Sequence, residues 1–202
     1  MSELDRWNER FAAGDYVFGT APNAFLEARR SLLVPGQRVL AVADGEGRNG
    51  VWLAGLGLDV LSVDFSPVAL AKAGRLARER GVPLAIQQAD LERWDWPEAA
   101  FDVVVAIFIQ FCGPAGRATI FDGIRRALRP GGLLLMQGYR PEQLAYGTGG
   151  PKQAENMYTA ALLRQAFDGF DILELREHDS VLSEGHGHQG MSALVDLVAR
   201  KP

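Results

Sequence analysis

Residues 38–64 read RVLAVADGEGRNGVWLAGLGLDVLSVD. The apolar run Val39 to Val42 follows a Pro35-Gly36 turn and ends at glycines, the pattern of a buried strand. Asp44-Gly45-Glu46-Gly47-Arg48-Asn49-Gly50 then leads into Val51 to Ala54, which has helical character, and a second apolar run, Val60 to Val63, closes on Asp64. Strand, glycine turn, helix, strand and acid together make a nucleotide-binding βαβ unit. Glycines in the turn supply positive φ and let backbone approach a ligand with no Cβ in the way. An acid ending the second strand can accept both hydroxyls of a ribose, and an open α/β sheet binds such a ligand at the carboxyl ends of its strands. An ordinary tight βα turn is the competing reading, and it leaves the acid unexplained.

Two cofactor classes use such a unit. Gly45-x-Gly47-x-x-Gly50 matches the dinucleotide fingerprint literally, with an acid at a plausible distance downstream. That match fits an NAD(P)-dependent oxidoreductase as well as an S-adenosylmethionine enzyme, so the rest of the chain has to decide.

Ser66 is a natural N-cap and Pro67 suits a first helical position, so a helix is expected to run to Arg80 and stop at Gly81. Strands are expected at 84–88 and at 101–107, the latter apolar and β-branched like a central parallel strand covered on both faces. A helix at 115–128 and the turn Arg129-Pro130-Gly131-Gly132 precede a fifth strand at 133–137. A helix at 159–167 then leads to two long strands, 172–182 and 191–199, joined by a Gly-rich turn and expected to pair antiparallel. Upstream, Leu4 to Ala13 forms a short helix stopped by Gly14, and a loop through Asn23 is followed by a helix to Leu33. That loop reads as packing for an N-terminal arm or as a flap over the site. The pattern predicts one α/β domain over 1–202: a doubly wound, mostly parallel seven-stranded sheet with a C-terminal antiparallel hairpin. Within it, 1–34 is a helical arm and flap, 35–140 the cofactor-binding core, and 141–202 a lid loop, helix and terminal hairpin.

The 202 residues are 48% hydrophobic, enough for a substantial core, and the longest apolar run falls far short of a membrane span. A charged N-terminus without an apolar signal region and a single cysteine, Cys112, lead us to expect a cytoplasmic protein. Net charge of −4 without a basic block argues against a nucleic-acid partner and leaves a small-molecule substrate. Nothing in the sequence marks an oligomeric state.

The marks that break the tie are VLAVADGEGRN, Asp64 after strand two, Ala89-Asp90-Leu91 after strand three, FDVVV at 101–105 and LRPGG at 128–132. Together they resemble a class I S-adenosylmethionine-dependent methyltransferase over nearly the whole chain. WNERF, YVFGTAPNAFL, GEGRN, YGTGGP and EGxxHxG are similar, more narrowly, to the small bacterial tellurite-resistance and thiopurine-type methyltransferases. The resemblance implies a Rossmann-like methyltransferase fold and S-adenosyl-L-methionine as cofactor. It implies that Gly45 and Gly47, with the backbone at Ala43 and Asp44, face the methionine part. Asp64 would hold the ribose, Phe65 would lie near the adenine, Asp90 and Leu91 would bind its edge, and Ile107 would line the methyl-donor side. The usual acid-x-Gly-x-Gly-x-Gly motif has Ala41 at its acid position and Ala43 at its first glycine, with Asp44 offering a carboxylate instead.

Methyl transfer from a sulfonium needs positioning more than proton chemistry. No catalytic triad is visible, and a thiol or chalcogen oxyanion acceptor would need little help from a base. Candidate substrate contacts are Tyr139 after strand five, a glycine-rich lid at 146–151, and the turn Glu184-Gly185-His186-Gly187-His188. His188, Tyr139 and Arg48 are the catalytic candidates, Arg48 and Arg117 as oxyanion binders. A solvated turn is the alternative for His188, and surface pairing the alternative for the arginines. Gln110 stands where related sequences carry a histidine, and Cys112 reads as a small buried residue. No third strong ligand accompanies His186 and His188, so no metal is expected. A non-catalytic S-adenosylmethionine-binding protein is the remaining reading, kept open by Ala41 and Ala43.

Overall fold

The computed structural model describes residues 2–202. One seven-stranded sheet organises it: β1 (Arg38–Val42), β2 (Asp59–Asp64), β3 (Ala85–Gln88), β4 (Phe101–Ile107), β5 (Leu128–Tyr139), β6 (Asp171–Glu184) and β7 (His188–Arg200). Their spatial order is β3-β2-β1-β4-β5-β7-β6, with β1 to β5 parallel and β7 antiparallel to both neighbours. The chain winds outward from β1 to β3, then restarts at β4 beside β1. The carboxyl ends of β1 and β4 thus form the switch point at which an open sheet opens a ligand crevice.

The uninterrupted apolar run of β4 follows from burial on both faces. Val104 and Ala106 join Leu40 and Val42 in one core layer, with Ile120, Phe121 and Ile124 of α5 (Pro114–Ala127). Val103, Val105 and Ile107 join Val39 and Ala41 in the opposite layer, with Phe25 and Leu26 of α2 (Ala24–Ala28) and Leu53 of α3 (Arg48–Gly55). The helix after β2, α4 (Pro67–Arg80), has the expected caps: Ser66 accepts from the Ala69 N–H and Gly81 closes it at φ 66°.

The structure departs from the sequence pattern in four places. The helix expected from Asn23 to Leu33 ends at Ala28 and continues as a 3₁₀ turn over Arg30–Leu32. Arg29 Nη1 donates to the Phe25 carbonyl at 2.9 Å, capping an acceptor at the helix end. The fifth strand begins earlier, at Leu128, through the bridge of Leu128 to Phe101. The terminal strands run to Glu184 and from His188, so both residues lie in the sheet and the turn shrinks to 185–187. The segment after β5 forms the short helix α6 (Gln143–Tyr146), and Gln143 ties the glycine-rich lid down. Its Oε1 accepts from the Ala193 N–H at 2.8 Å, and its Nε2 donates to Thr148 Oγ1 at 2.9 Å and to the Gly149 carbonyl at 3.2 Å.

Candidate active site

The glycine turn sits at the carboxyl end of β1. Gly45 (φ 58°) and Gly47 (φ 84°) take left-handed conformations, and so does Ala43 (φ 47°), where the usual motif has glycine. A Cβ on Gly47 would come within 2.5 Å of the Ala73 methyl, so this glycine lets α4 pack against the turn. The Asp44 carboxylate lies under the turn, accepting from Ser62 Oγ at 2.8 Å and from the Gly50 N–H at 3.1 Å. Burial pushes its carboxyl up to about 7, against the pull of those two donors. The Asp44 carboxylate is thus engaged inside the turn.

Asp64 is buried at the end of β2 and accepts from the Gly45 N–H and the Ser66 N–H, each at 2.8 Å. Burial raises its pKa despite these bonds. Phe65 follows it, its carbonyl held by Gln88 Nε2 at 3.1 Å. Asp90, at the end of β3, keeps 39% of its side chain exposed, with Leu91 buried beside it. Ile107 is the last residue of β4 and packs in the core layer with Val39 and Ala41. The next residue, Phe108, turns at φ 55° and stacks on Tyr139 with ring centroids 4.7 Å apart.

The N-terminal arm closes over this crevice. α1 (Glu3–Phe11) carries Phe11 to 3.6 Å from where a Gly45 Cβ would be, and Asn8 Oδ1 accepts from Ser66 Oγ at 2.6 Å. The loop behind α1 is bound by Glu46, which accepts from the Val17 N–H at 2.7 Å and from Lys72 Nζ at 2.7 Å. Lys72 also donates to the Asp15 carbonyl at 2.7 Å. Across the crevice, the Gly187 N–H donates to the Val17 carbonyl at 2.9 Å.

The three catalytic candidates come together beside this closure. Arg48, at the start of α3, pairs through Nη2 with Glu184 at 2.7 Å, both side chains 7% exposed. His188 is buried among Phe18, Phe108 and Tyr139, with ring centroids at 4.4, 4.5 and 5.9 Å. Its Nδ1 stands 3.8 Å from Glu184, too far for a hydrogen bond. Burial opposes the Glu184 charge, yet His188 and the Arg48 guanidinium outweigh it and hold the carboxyl down at about 2. Burial, more than the opposing Glu184 charge, holds His188 below its ordinary pKa. Among the described residues, four buried side-chain polar atoms lack a partner: Arg48 Nη1, Tyr139 Oη, His188 Nδ1 and Arg140 Nε. Three belong to the candidates. Such orphans are rare in folded proteins, and together they mark a place where a polar ligand group would be satisfied.

Other readings resolve differently. Arg117 is spent on the Glu155 carbonyl at 2.5 Å and takes no part in this cluster. Gln110 clamps the Tyr139 backbone, accepting from its N–H at 2.6 Å and donating to its carbonyl at 2.8 Å, which fixes the ring. Burial, with Glu92 nearby, pushes the Cys112 thiol up to about 11. No group of three or more His, Cys, Asp or Glu able to hold a metal ion occurs among the described residues. Asn23, Glu46, Phe108, Gln137 and Asp196 are contributions that the sequence reading missed. Only the N-cap position of Asn23 before an apolar helical run could have flagged one of them.

Residues 39–132, just under half of the chain, match the family described as a methyltransferase domain. An uncharacterised methyltransferase of Synechocystis sp. is 36% identical over 110 residues, 53% of this chain and 50% of that protein. A demethylmenaquinone methyltransferase of Thermus thermophilus is 33% identical over 107 residues, 52% and 48% of the two chains. The chain thus spans about half the length of the curated relatives it matches. The crystal structure of TehB from Haemophilus influenzae superposes with a TM-score of 0.75 at 18% identity, covering 98% of this chain and 67% of that one. The fold is the Rossmann-like methyltransferase fold. Among the described residues, no helix is long and apolar enough to cross a membrane.

Proposed function

We propose that this chain, which carries a methyltransferase domain on a class I methyltransferase fold, binds S-adenosylmethionine and transfers its methyl group to a small-molecule acceptor. One observation carries the reading: the unpaired Arg48 Nη1, Tyr139 Oη and His188 Nδ1 converge beside a glycine crevice ringed by strand-end acids. The residues fit the cofactor. Gly45 takes the left-handed conformation that the tight turn needs, Asp64 carries a carboxylate at the end of β2, and Asp90 keeps a partly exposed one just past β3. In this reading Ala43, Asp44, Gly45 and Gly47 give backbone to the methionine part and Asp64 takes the ribose. Phe65, Asp90 and Leu91 surround the adenine, and Ile107 borders the methyl-donor side.

When bound, S-adenosylmethionine supplies a methyl group already activated on a sulfonium. The protein's share is then to orient the acceptor, exclude water and hold charge. Arg48 offers an unpaired N–H of a permanent cation, and Tyr139 a hydroxyl still protonated, since burial raises its pKa. His188 is held neutral by burial. This set suits an acceptor that arrives ionised, and the motif resemblance to tellurite-resistance and thiopurine-type enzymes supports a thiol or chalcogen oxyanion. A protein or nucleic-acid substrate does not suit a net charge of −4 and a site closed by the chain's own arm. The single cysteine fits a cytoplasmic setting.

Thermal unfolding with S-adenosylmethionine, S-adenosylhomocysteine, NADH and NADPH in parallel tests the reading. Ligand at about 100 times its dissociation constant stabilises by roughly 2.7 kcal/mol. For a domain of this size that is a shift of roughly 5–10 °C. A shift with the adenosyl ligands alone is expected; one with a nicotinamide alone overturns the cofactor. Methyl transfer to thiols and chalcogen oxyanions, measured as S-adenosylhomocysteine release, then separates an enzyme from a binding protein.

A further inference from the structure

Asn23 is fully buried, and every polar atom of its side chain is committed. Its Oδ1 accepts from the Leu26 N–H at 3.1 Å, capping α2. Its Nδ2 donates to Gln137 Oε1 at 2.8 Å and to Glu184 Oε1 at 3.0 Å. Gln137 passes the chain on, donating from Nε2 to Asp196 Oδ1 at 2.7 Å. The other Asp196 oxygen meets His178 Nε2 at 3.1 Å and Arg29 Nη2 at 3.5 Å. A carboxylate stands at each end, so both amides can point only one way: each –NH₂ faces a carboxylate and the Gln137 carbonyl faces Asn23. The chain ties the N-terminal arm, β5, β7 and the tip of β6 to the carboxylate that pairs with Arg48.

We infer that Asn23, Gln137 and Asp196 form a positioning network for the active site. The network holds Glu184 against Arg48 Nη2, leaving Arg48 Nη1 and His188 Nδ1 unpaired. Glu184 makes contacts with Asn23 Nδ2, the Ala24 N–H and Arg48, all of which draw it away from the imidazole. Asn23 Nδ2 reaches both carboxylate oxygens, at 3.0 and 3.3 Å. Without it Glu184 is held only by the Ala24 N–H on Oε1 and Arg48 on Oε2, and the carboxylate is free to turn so that Oε2 closes its 3.8 Å gap to His188 Nδ1. The site would then lose one of its unpaired nitrogens while every candidate side chain stays in place. Amide side chains do not carry protons onward under these conditions, so the network orients groups and relays no proton. The role in acceptor binding rests on the function proposed above; the hold on Glu184 does not.

The test is Asn23→Ser, whose hydroxyl keeps the N-cap of α2 while both Nδ2 donors disappear. The charged groups around the His188 imidazole are Glu184, Arg48 and Arg10, all retained in this variant. The titration midpoint of His188 is read by NMR on the full chain without ligand, assigned with a His188→Gln control. A rise of half a pH unit or more over the wild type is expected, as the carboxylate closes on the ring. Gln137→Met, which breaks the chain one link further away, carries the same expectation if Asn23→Ser does not fold. A smaller rise, no change or a fall in the folded variant overturns the inference, whatever happens to the melting temperature. S-adenosylhomocysteine affinity, measured alongside, is expected to stay within about twofold of wild type. Failure of the wild-type chain to bind that ligand overturns the proposed function and leaves the network test standing.

Discussion

Arg48 and Glu184 stand 136 residues apart in sequence and meet at 2.7 Å inside the protein. The pair joins the glycine turn after β1 to the tip of the terminal hairpin. Removing one partner of such a buried pair leaves an uncompensated charge, which costs about 3–5 kcal/mol.

Glu184→Gln is therefore expected to lower the melting temperature by roughly 6–20 °C at neutral pH. The pH dependence has a definite sign. Glu184 is held down at about 2 from 4.5, so its contribution is complete above pH 4.5 and is lost as pH falls toward 2. The gap between wild type and variant should narrow between pH 5 and pH 3. A gap independent of pH over that range would show that the carboxylate is not held ionised.

Asp44 acts in the opposite direction. Its carboxyl is raised from 3.8 to about 7, so stability is complete below pH 3.8 and declines as pH rises through 7. Asn in its place can still accept from the Gly50 N–H and meet Ser62, without a charge to bury. Asp44→Asn should gain on wild type in thermal unfolding as pH goes from 4 to 8. Parallel melting curves across that range would contradict the assignment.

Asp64→Ala is expected to weaken S-adenosylhomocysteine binding by about 1.5–3 kcal/mol, since charge-assisted hydrogen bonds to the ribose are lost. Calorimetric titration measures this directly. The Gly45 and Ser66 N–H groups lose their acceptor as well, so some fall in melting temperature accompanies it. An unchanged dissociation constant in a folded variant removes Asp64 from the ribose site.

Ala43 holds φ at 47°, a conformation costing a residue with Cβ about 1–2 kcal/mol. Ala43→Gly relieves that strain and gives back about 0.4–1 kcal/mol through the freer unfolded chain. A net gain of up to about 1 kcal/mol, or roughly 2–4 °C, is expected. Destabilisation in chemical denaturation would mean that the Ala43 methyl packs better than its backbone suffers.

Gly187 lies where a Cβ would come within 2.5 Å of Phe18 Cε1. Gly187→Ala should push the arm off the hairpin tip and break the hydrogen bond to Val17. Faster tryptic cleavage after Arg10 in the folded variant is the expected sign. Cleavage at the wild-type rate would show that the arm does not depend on this contact.

Much of this architecture was legible before any coordinates. Strands β1 to β4, the caps of α4 and the antiparallel ending follow from short-range rules: short apolar runs bounded by turn residues, Ser and Pro at a helix start, Gly at its end. The glycine turn and its flanking acids are equally local, because backbone conformation and strand ends are written in neighbouring residues. Likewise, Arg48, Tyr139 and His188 could be nominated one by one from residue type and loop position. Their convergence could not, because they come from three segments that meet only when β5, β7 and the first turn of α3 reach the same edge of the sheet. Asp44 shows the limit most plainly. An acid beside a glycine turn reads as a ligand, yet its carboxylate is taken by Ser62 on the neighbouring strand, 18 residues away. Asn23, Gln137 and Asp196 read as ordinary polar residues, since nothing local says that they will be buried. The chain itself thus determined which elements form and in what order; tertiary packing decided where several of them end, which polar groups found partners and which were left unpaired, because hydrogen bonds between distant segments exist only after the sheet has brought them within about 3 Å.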